Sequence, residues 1–174
     1  SPSQNTGILN TAIGDQALQL NTNGIDNVAI GVDALENNTG GDFNTAIGIR
    51  ALATNTTGNK NIAIGHDADV MSANLDNATA IGKNAKVALS NSMVLGGTGT
   101  VAVSVGIGTT SPNGRAILEL NSTTKALLLP RMTKAERNNI TPAAAGMMIY
   151  QTDNTPGLRV YNGANWMRYT ETVD

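Results

Sequence analysis

Five short segments recur at a constant interval: Asn10-Thr11-Ala12-Ile13-Gly14, Asn27-Val28-Ala29-Ile30-Gly31, Asn44-Thr45-Ala46-Ile47-Gly48, Asn61-Ile62-Ala63-Ile64-Gly65 and Ala78-Thr79-Ala80-Ile81-Gly82. Their glycines stand 17 positions apart, and a looser copy, Ser92-Met93-Val94-Leu95-Gly96, follows after 14. A fixed period near 20 marks a solenoid, in which no repeat buries its own apolar face until the next one stacks on it. Seventeen residues cannot hold a helix, a turn and a second helix. Each repeat is therefore one coil of a stack of parallel β-strands.

The register reaches beyond the five-residue core. Gly7, Gly24, Gly41 and Gly58 keep the same interval, and each core is followed by Ala17-Leu18, Ala34-Leu35, Ala51-Leu52, Ala68-Asp69 or Ala85-Lys86. This pattern predicts two short strands per coil, the second around that pair, separated by Gly/Asn turns. Longer turns are expected over 19–26, 36–43, 53–60 and 70–77. Side chains alternate along a strand, so Ile13, Ile30, Ile47, Ile64 and Ile81 share one face with Thr11, Val28, Thr45, Ile62 and Thr79. The isoleucines are expected to form the buried structural core of the repeat. The alanine column, Ala12, Ala29, Ala46, Ala63 and Ala80, falls on the opposite face, where small residues would suit a close neighbouring chain. Asn10, Asn27, Asn44 and Asn61 are placed to stack as a ladder or to bond turn backbone. Six rungs at ~4.8 Å spacing give an array of roughly 30 Å.

Composition sharpens the picture. Aromatic residues make up 3% of the chain and charged residues 14%, against 19 glycines, so large side chains are too scarce to fill a compact core. A fibre built from thin cross-sections, or several chains sharing one core, would resolve that shortage. The formal charge of -2 offers no basic face to nucleic acid or to a membrane surface. With no cysteine, there is neither a disulfide framework nor a thiolate metal site. No signal peptide and no 18-residue apolar run is present, so no membrane insertion by this fragment is expected. The opening Ser1-Pro2-Ser3-Gln4 reads as a cut within a longer chain.

The repeated Asn-x-Ala-Ile-Gly with its following alanine resembles the head repeats of trimeric autotransporter adhesins, over residues 10 to 96. That resemblance implies a left-handed parallel β-roll, three chains wide, on a bacterial surface. The coils here are mostly 17 residues where that family's are commonly 14, and the family's membrane-anchoring barrel is missing.

Beyond the array, Val101 to Val105 alternates like a strand, Gly106 to Pro112 is turn-rich, and Arg115 to Leu120 forms another expected strand. Ala126-Leu127-Leu128-Leu129 must be extended before Pro130. Thr133-Lys134-Ala135-Glu136 is a capping box opening a short helix that carries Arg137 and Ile140 and stops before Thr141-Pro142. Strands follow at Met147–Tyr150, Leu158–Tyr161 and Trp166–Tyr169, the last two joined at Asn162-Gly163. The segments Val105–Pro112, Leu129–Thr133 and Tyr161–Trp166 resemble carboxy-terminal parts of phage tail-fibre proteins and the mosaic adhesive trimer fibres of predatory bacteria. This implies a trimeric fibre with a small β-rich head. If Asp174 is the natural end, the head is carboxy-terminal, the opposite polarity to an autotransporter.

The fold class expected is mainly β: a trimeric parallel β-roll over 4–100, connector strands over 101–125, and a tip over 126–174 with one short helix. Catalysis finds little support, because the chain has one histidine and lacks the common nucleophile, phosphate-loop and zinc-protease motifs. Asp15, Asp33 and Asp67 do not share one column, as paired carboxylates on adjacent coils would have to. His66 with Asp67 and Asp69 is the one metal-like cluster, but its column also holds Asp15, Val32, Ile49 and Lys83, so no metal and no cofactor is assigned. Tyr150, Tyr161, Trp166 and Tyr169 lie within the last 25 residues. With Arg159, Asn162, Asn165 and Arg168, they are the candidate ligand-binding residues, since an aromatic face can stack on a sugar while polar neighbours bond its hydroxyls. Arg131 and Arg137 read as interchain or capping partners. The expected function is a homotrimeric extracellular fibre, on a cell or virion, whose tip recognises a surface glycan or protein of a target cell. The alternatives are a fibre spacer or trimerisation module with no ligand of its own, and a carbohydrate-cleaving spike.

Overall fold

The computed structural model describes residues 6–97 and 102–170. The expected cut at Ser1–Gln4, Val101 of the expected strand and Asp174 lie outside the described residues. The chain divides into two compact units, Ser1–Glu119 and Leu120–Asp174.

The first unit is a parallel β-solenoid. Strands β1 (Thr11–Ile13), β2 (Val28–Ile30), β3 (Thr45–Ile47) and β4 (Ile62–Ile64) pair in order in one sheet. After β5 (Asp69–Val70), strand β6 (Thr79–Ile81) joins β4; after β7 (Lys86–Val87), strand β8 (Met93–Leu95) joins β6. Every pairing is in repeat register, Ala12 beside Ala29 beside Ala46 beside Ala63 beside Ala80.

The two faces of these strands exchange the roles expected of them. Ala29, Ala46, Ala63 and Ala80 are completely buried inside the coil, whereas Ile13 is 59%, Ile47 38% and Ile64 39% exposed. The expected isoleucine core, Ile13, Ile30, Ile47, Ile64 and Ile81, is thus corrected to an outward stripe, with Ile30 and Ile81 half-buried. The reason is width. The sheet closes against Ala34, Ala51, Ala68 and Ala85 from the other side of each coil, so the gap admits only methyl groups beside Leu18, Leu35 and Leu52.

Asparagine fills the rest of the interior. Asn27 accepts the Asn44 amide on Oδ1 at 2.9 Å and donates through Nδ2 to the Gly41 carbonyl at 2.8 Å; Asn44 treats Asn61 and Gly58 alike. A second column, Asn21, Asn38 and Asn55, links amide to amide at 2.9 Å between coils. No buried side-chain polar atom lacks a partner among the described residues. At Gly41 a Cβ would lie 2.4 Å from the Gly58 carbonyl oxygen, so the coil spacing itself demands glycine there.

The expected second strand forms only late in the array. Leu18, Leu35 and Leu52 hold left-handed backbone (φ 54°, 50° and 52°) within turns. Where the leucine column changes to Asp69 and Lys86, the backbone extends, and β5 pairs with β7, burying Val70 against Val87. Asp69 is itself buried, accepting from Thr54 Oγ1 at 2.7 Å and Lys86 Nζ at 3.4 Å. Beyond the array, β9 (Val105–Ile107) pairs with β10 (Leu118–Leu120), both shorter than the alternation implied.

The second unit carries a four-stranded sheet ordered β11 (Arg131–Met132), β12 (Met148–Gln151), β13 (Gly157–Tyr161) and β14 (Trp166–Arg168). β11 and β12 are parallel, and the rest are antiparallel. The one helix among the described residues, α1 (Lys134–Asn138), starts with the expected capping box: Thr133 accepts the Glu136 amide, and Glu136 Oε2 accepts the Thr133 amide at 2.8 Å. It ends at Asn138, leaving Ile140 outside the helix.

Candidate functional site

The tip sheet divides the aromatic residues by register. Tyr161 stands opposite Trp166, and Arg159 opposite Arg168, so these four share one face with Ile149. Tyr150 pairs with Leu158 and Arg131 on the other face. The eight ligand candidates therefore do not form one constellation.

Tyr161 and Trp166 meet with ring centroids 5.2 Å apart at 51°, and the Arg137 guanidinium lies 5.9 Å from the Trp166 ring. The capping box aims α1 so that Arg137 reaches this spot. Its remaining bonds, to Gln151 Oε1 at 2.6 Å and Asn138 Oδ1 at 2.9 Å, hold it flat against the sheet. Past the helix, the chain folds through a cis Thr141-Pro142 bond. An open cleft of about 350 Å³ is lined by Asn138, Ile140, Thr141, Pro142, Tyr161 and Trp166. It joins an aromatic pair to a carboxamide and a hydroxyl, as stacking on a flat ring with hydrogen bonds at its edge requires.

Sequence reasoning missed Asn138, Ile140, Thr141 and Pro142. The only signal was the helix stop at Thr141-Pro142, which did not say where the following loop would return. Of the remaining candidates, Arg159 is corrected outright. It is 4% exposed, and its Nη2 donates to the Thr155 carbonyl at 2.6 Å, so it braces the preceding loop. Burial, followed by the nearby Arg168 and Arg137 charges, pushes its guanidinium below the ordinary value. Asn162 spends its Oδ1 on the Ala164 and Asn165 amides, closing the hairpin turn. Arg168 donates to the Pro156 carbonyl at 3.4 Å, and Tyr150 and Tyr169 are exposed away from the cleft lining.

Two features of the solenoid are better explained by folding. A larger groove, about 630 Å³, runs along stacked turns past Asp42, Asn59 and Asp76. Those side chains already accept backbone amides one coil away, Ile25 to Asp42 at 2.8 Å, Asp42 to Asn59 at 2.9 Å and Asn59 to Asp76 at 2.7 Å. At His66, Nδ1 lies 2.7 Å from Asp67 Oδ2. Asp67 also accepts from Arg50 Nε at 2.7 Å and Nη2 at 2.9 Å, and this hydrogen-bonded pair holds its carboxyl below the usual carboxylate range. Asp69 turns inward instead, so His66, Asp67 and Asp69 do not converge. Among the described residues no group of three or more His, Cys, Asp or Glu is arranged to hold a metal.

Residues 106–174 match the family model of a phage tail like trimerisation region. No curated protein and no solved structure matches the chain. The match supports a trimeric fibre module built on a β-solenoid. No described helix is long and apolar enough to cross a membrane.

Proposed function

We propose that this chain is a segment of an extracellular homotrimeric fibre, on a virion or cell surface, whose tip recognises a surface glycan or protein. The cleft beside Tyr161 and Trp166 carries the reading. It combines a paired aromatic surface with Asn138 and Thr141, the kinds of group that stack on a sugar ring and bond its hydroxyls. The solenoid positions the tip and does not itself bind. In a trimer the cleft exists three times, so weak single contacts gain avidity wherever the target engages several at once.

The likeness of residues 106–174 to a trimerisation region favours a second reading, a spacer and assembly module with no ligand of its own. Binding of the wild-type chain and of Trp166→Ala to a glycan array and to intact target cells separates the two. Recognition predicts binding that Trp166→Ala weakens by tenfold or more, about 1.4 kcal/mol per site, while the far-UV circular dichroism stays unchanged. A wild-type chain that binds nothing, with Trp166→Ala altering only stability, leaves the spacer.

A further inference from the structure

The tip sheet covers only one of its faces. On the α1 side, Ile149, Gln151 and Arg159 are at most 4% exposed. The register places Met148, Val160 and Met167 in a row on the opposite face, with Tyr150 and Leu158 in the next row. There Met148 is 46%, Met167 53% and Tyr150 40% exposed. Beside Tyr150, Leu127, Leu128 and Leu129 line a groove of about 310 Å³. The one charge in these rows, Arg131, sits 5.6 Å over the Tyr150 ring and leaves the row beyond it apolar.

We infer that this face, Met148, Tyr150, Leu158, Val160 and Met167 with the leucine segment 127–129, is where copies of this chain meet through their tips. The inference rests on the trimeric reading of the chain and assigns it a surface. All of these residues fall within 106–174, the stretch similar to a trimerisation region, which names a second copy as the occupant. Its chemistry agrees, because permanent homomeric interfaces resemble a protein core cut in half. A three-fold ring also needs two different patches per copy, one to give and one to receive. The leucine ridge and the methionine-tyrosine sheet are such a pair.

Methionine oxidation tests the assignment on the unmodified chain. Met147 and Met148 are neighbours with similar exposure, 39% and 46%, but only Met148 lies in the proposed seam. Sedimentation first fixes the number of copies, and dilute peroxide with peptide mass spectrometry then reads each site. Met148 and Met167 should oxidise about tenfold more slowly than Met147 and free methionine, and at the free rate in denaturant. A trimer in which Met148 and Met167 oxidise as fast as Met147 overturns the surface assignment alone. A chain that sediments as a single copy overturns the trimeric reading beneath it.

Discussion

Asn44 shows how much one side chain does in this molecule. Its Nδ2 donates to Gly58 at 2.8 Å and Asn27 Oδ1 at 3.1 Å, and its Oδ1 accepts the Asn61 amide at 2.9 Å. Asn44→Ala strands the Asn61 amide in a dry interior, at ~1–3 kcal/mol, while the Gly58 carbonyl keeps its bond from Asn55 Nδ2 at 3.1 Å. Urea unfolding should show a loss of roughly 2 kcal/mol. A loss below about 0.5 kcal/mol would mean that water replaces the ladder, as at an ordinary surface site. The asparagine column was legible in the sequence, because only a repeated turn explains its spacing. The facing of the isoleucines was not. Alternation says that two faces differ, and size ordinarily decides which is inside, yet a coil this thin accepts only the smaller set. Nor does sequence place Leu18, Leu35 and Leu52 in left-handed backbone, a conformation their side chains disfavour and the coil imposes.

Among the elements, α1 was the easiest to foresee, since Thr133 and Glu136 satisfy each other's amides through contacts local in sequence. Those bonds, the Thr133 amide first and its hydroxyl second, hold the Glu136 carboxyl below its ordinary range. A depressed folded value means that the stabilisation is present above the unfolded value and is lost as pH falls through the folded one. Glu136→Ala should therefore lower the thermal midpoint at neutral pH, and the difference from wild type should close in acid. An equal deficit at both pH values would place the effect in packing instead of the charged cap. The tip hairpin was equally legible at Asn162-Gly163. Which face each aromatic took was not, because it depends on pairing register: Tyr150 and Tyr161 both belong to the sheet, but on opposite sides.

At the scale of the whole molecule, the solenoid presents a stripe of Ile13, Ile47, Ile62, Ile64, Met93 and Leu95, each at least 38% exposed in the single chain. Exposed apolar runs of this size mark interaction surfaces, and we propose that further copies of the chain cover this one. Folding and association should therefore be linked, and the thermal midpoint should rise with protein concentration over a hundredfold dilution series. A midpoint independent of concentration would mean that the stripe stays wet. The period and the fold class were readable from end to end of the array, but the need for partners came from composition and not from any motif.

The bonds between coils repeat from one step to the next, among them a series from Asn10 to Ala78 in which the carboxamide of one turn receives the amide of the next. Excising or duplicating one 17-residue unit would recreate the same junction, with no new surface to invent. Reach can then be adjusted in increments of ~4.8 Å, one strand spacing at a time. A lineage bearing such a segment could lengthen or shorten the array by recombination between repeats, leaving residues 106–174 untouched.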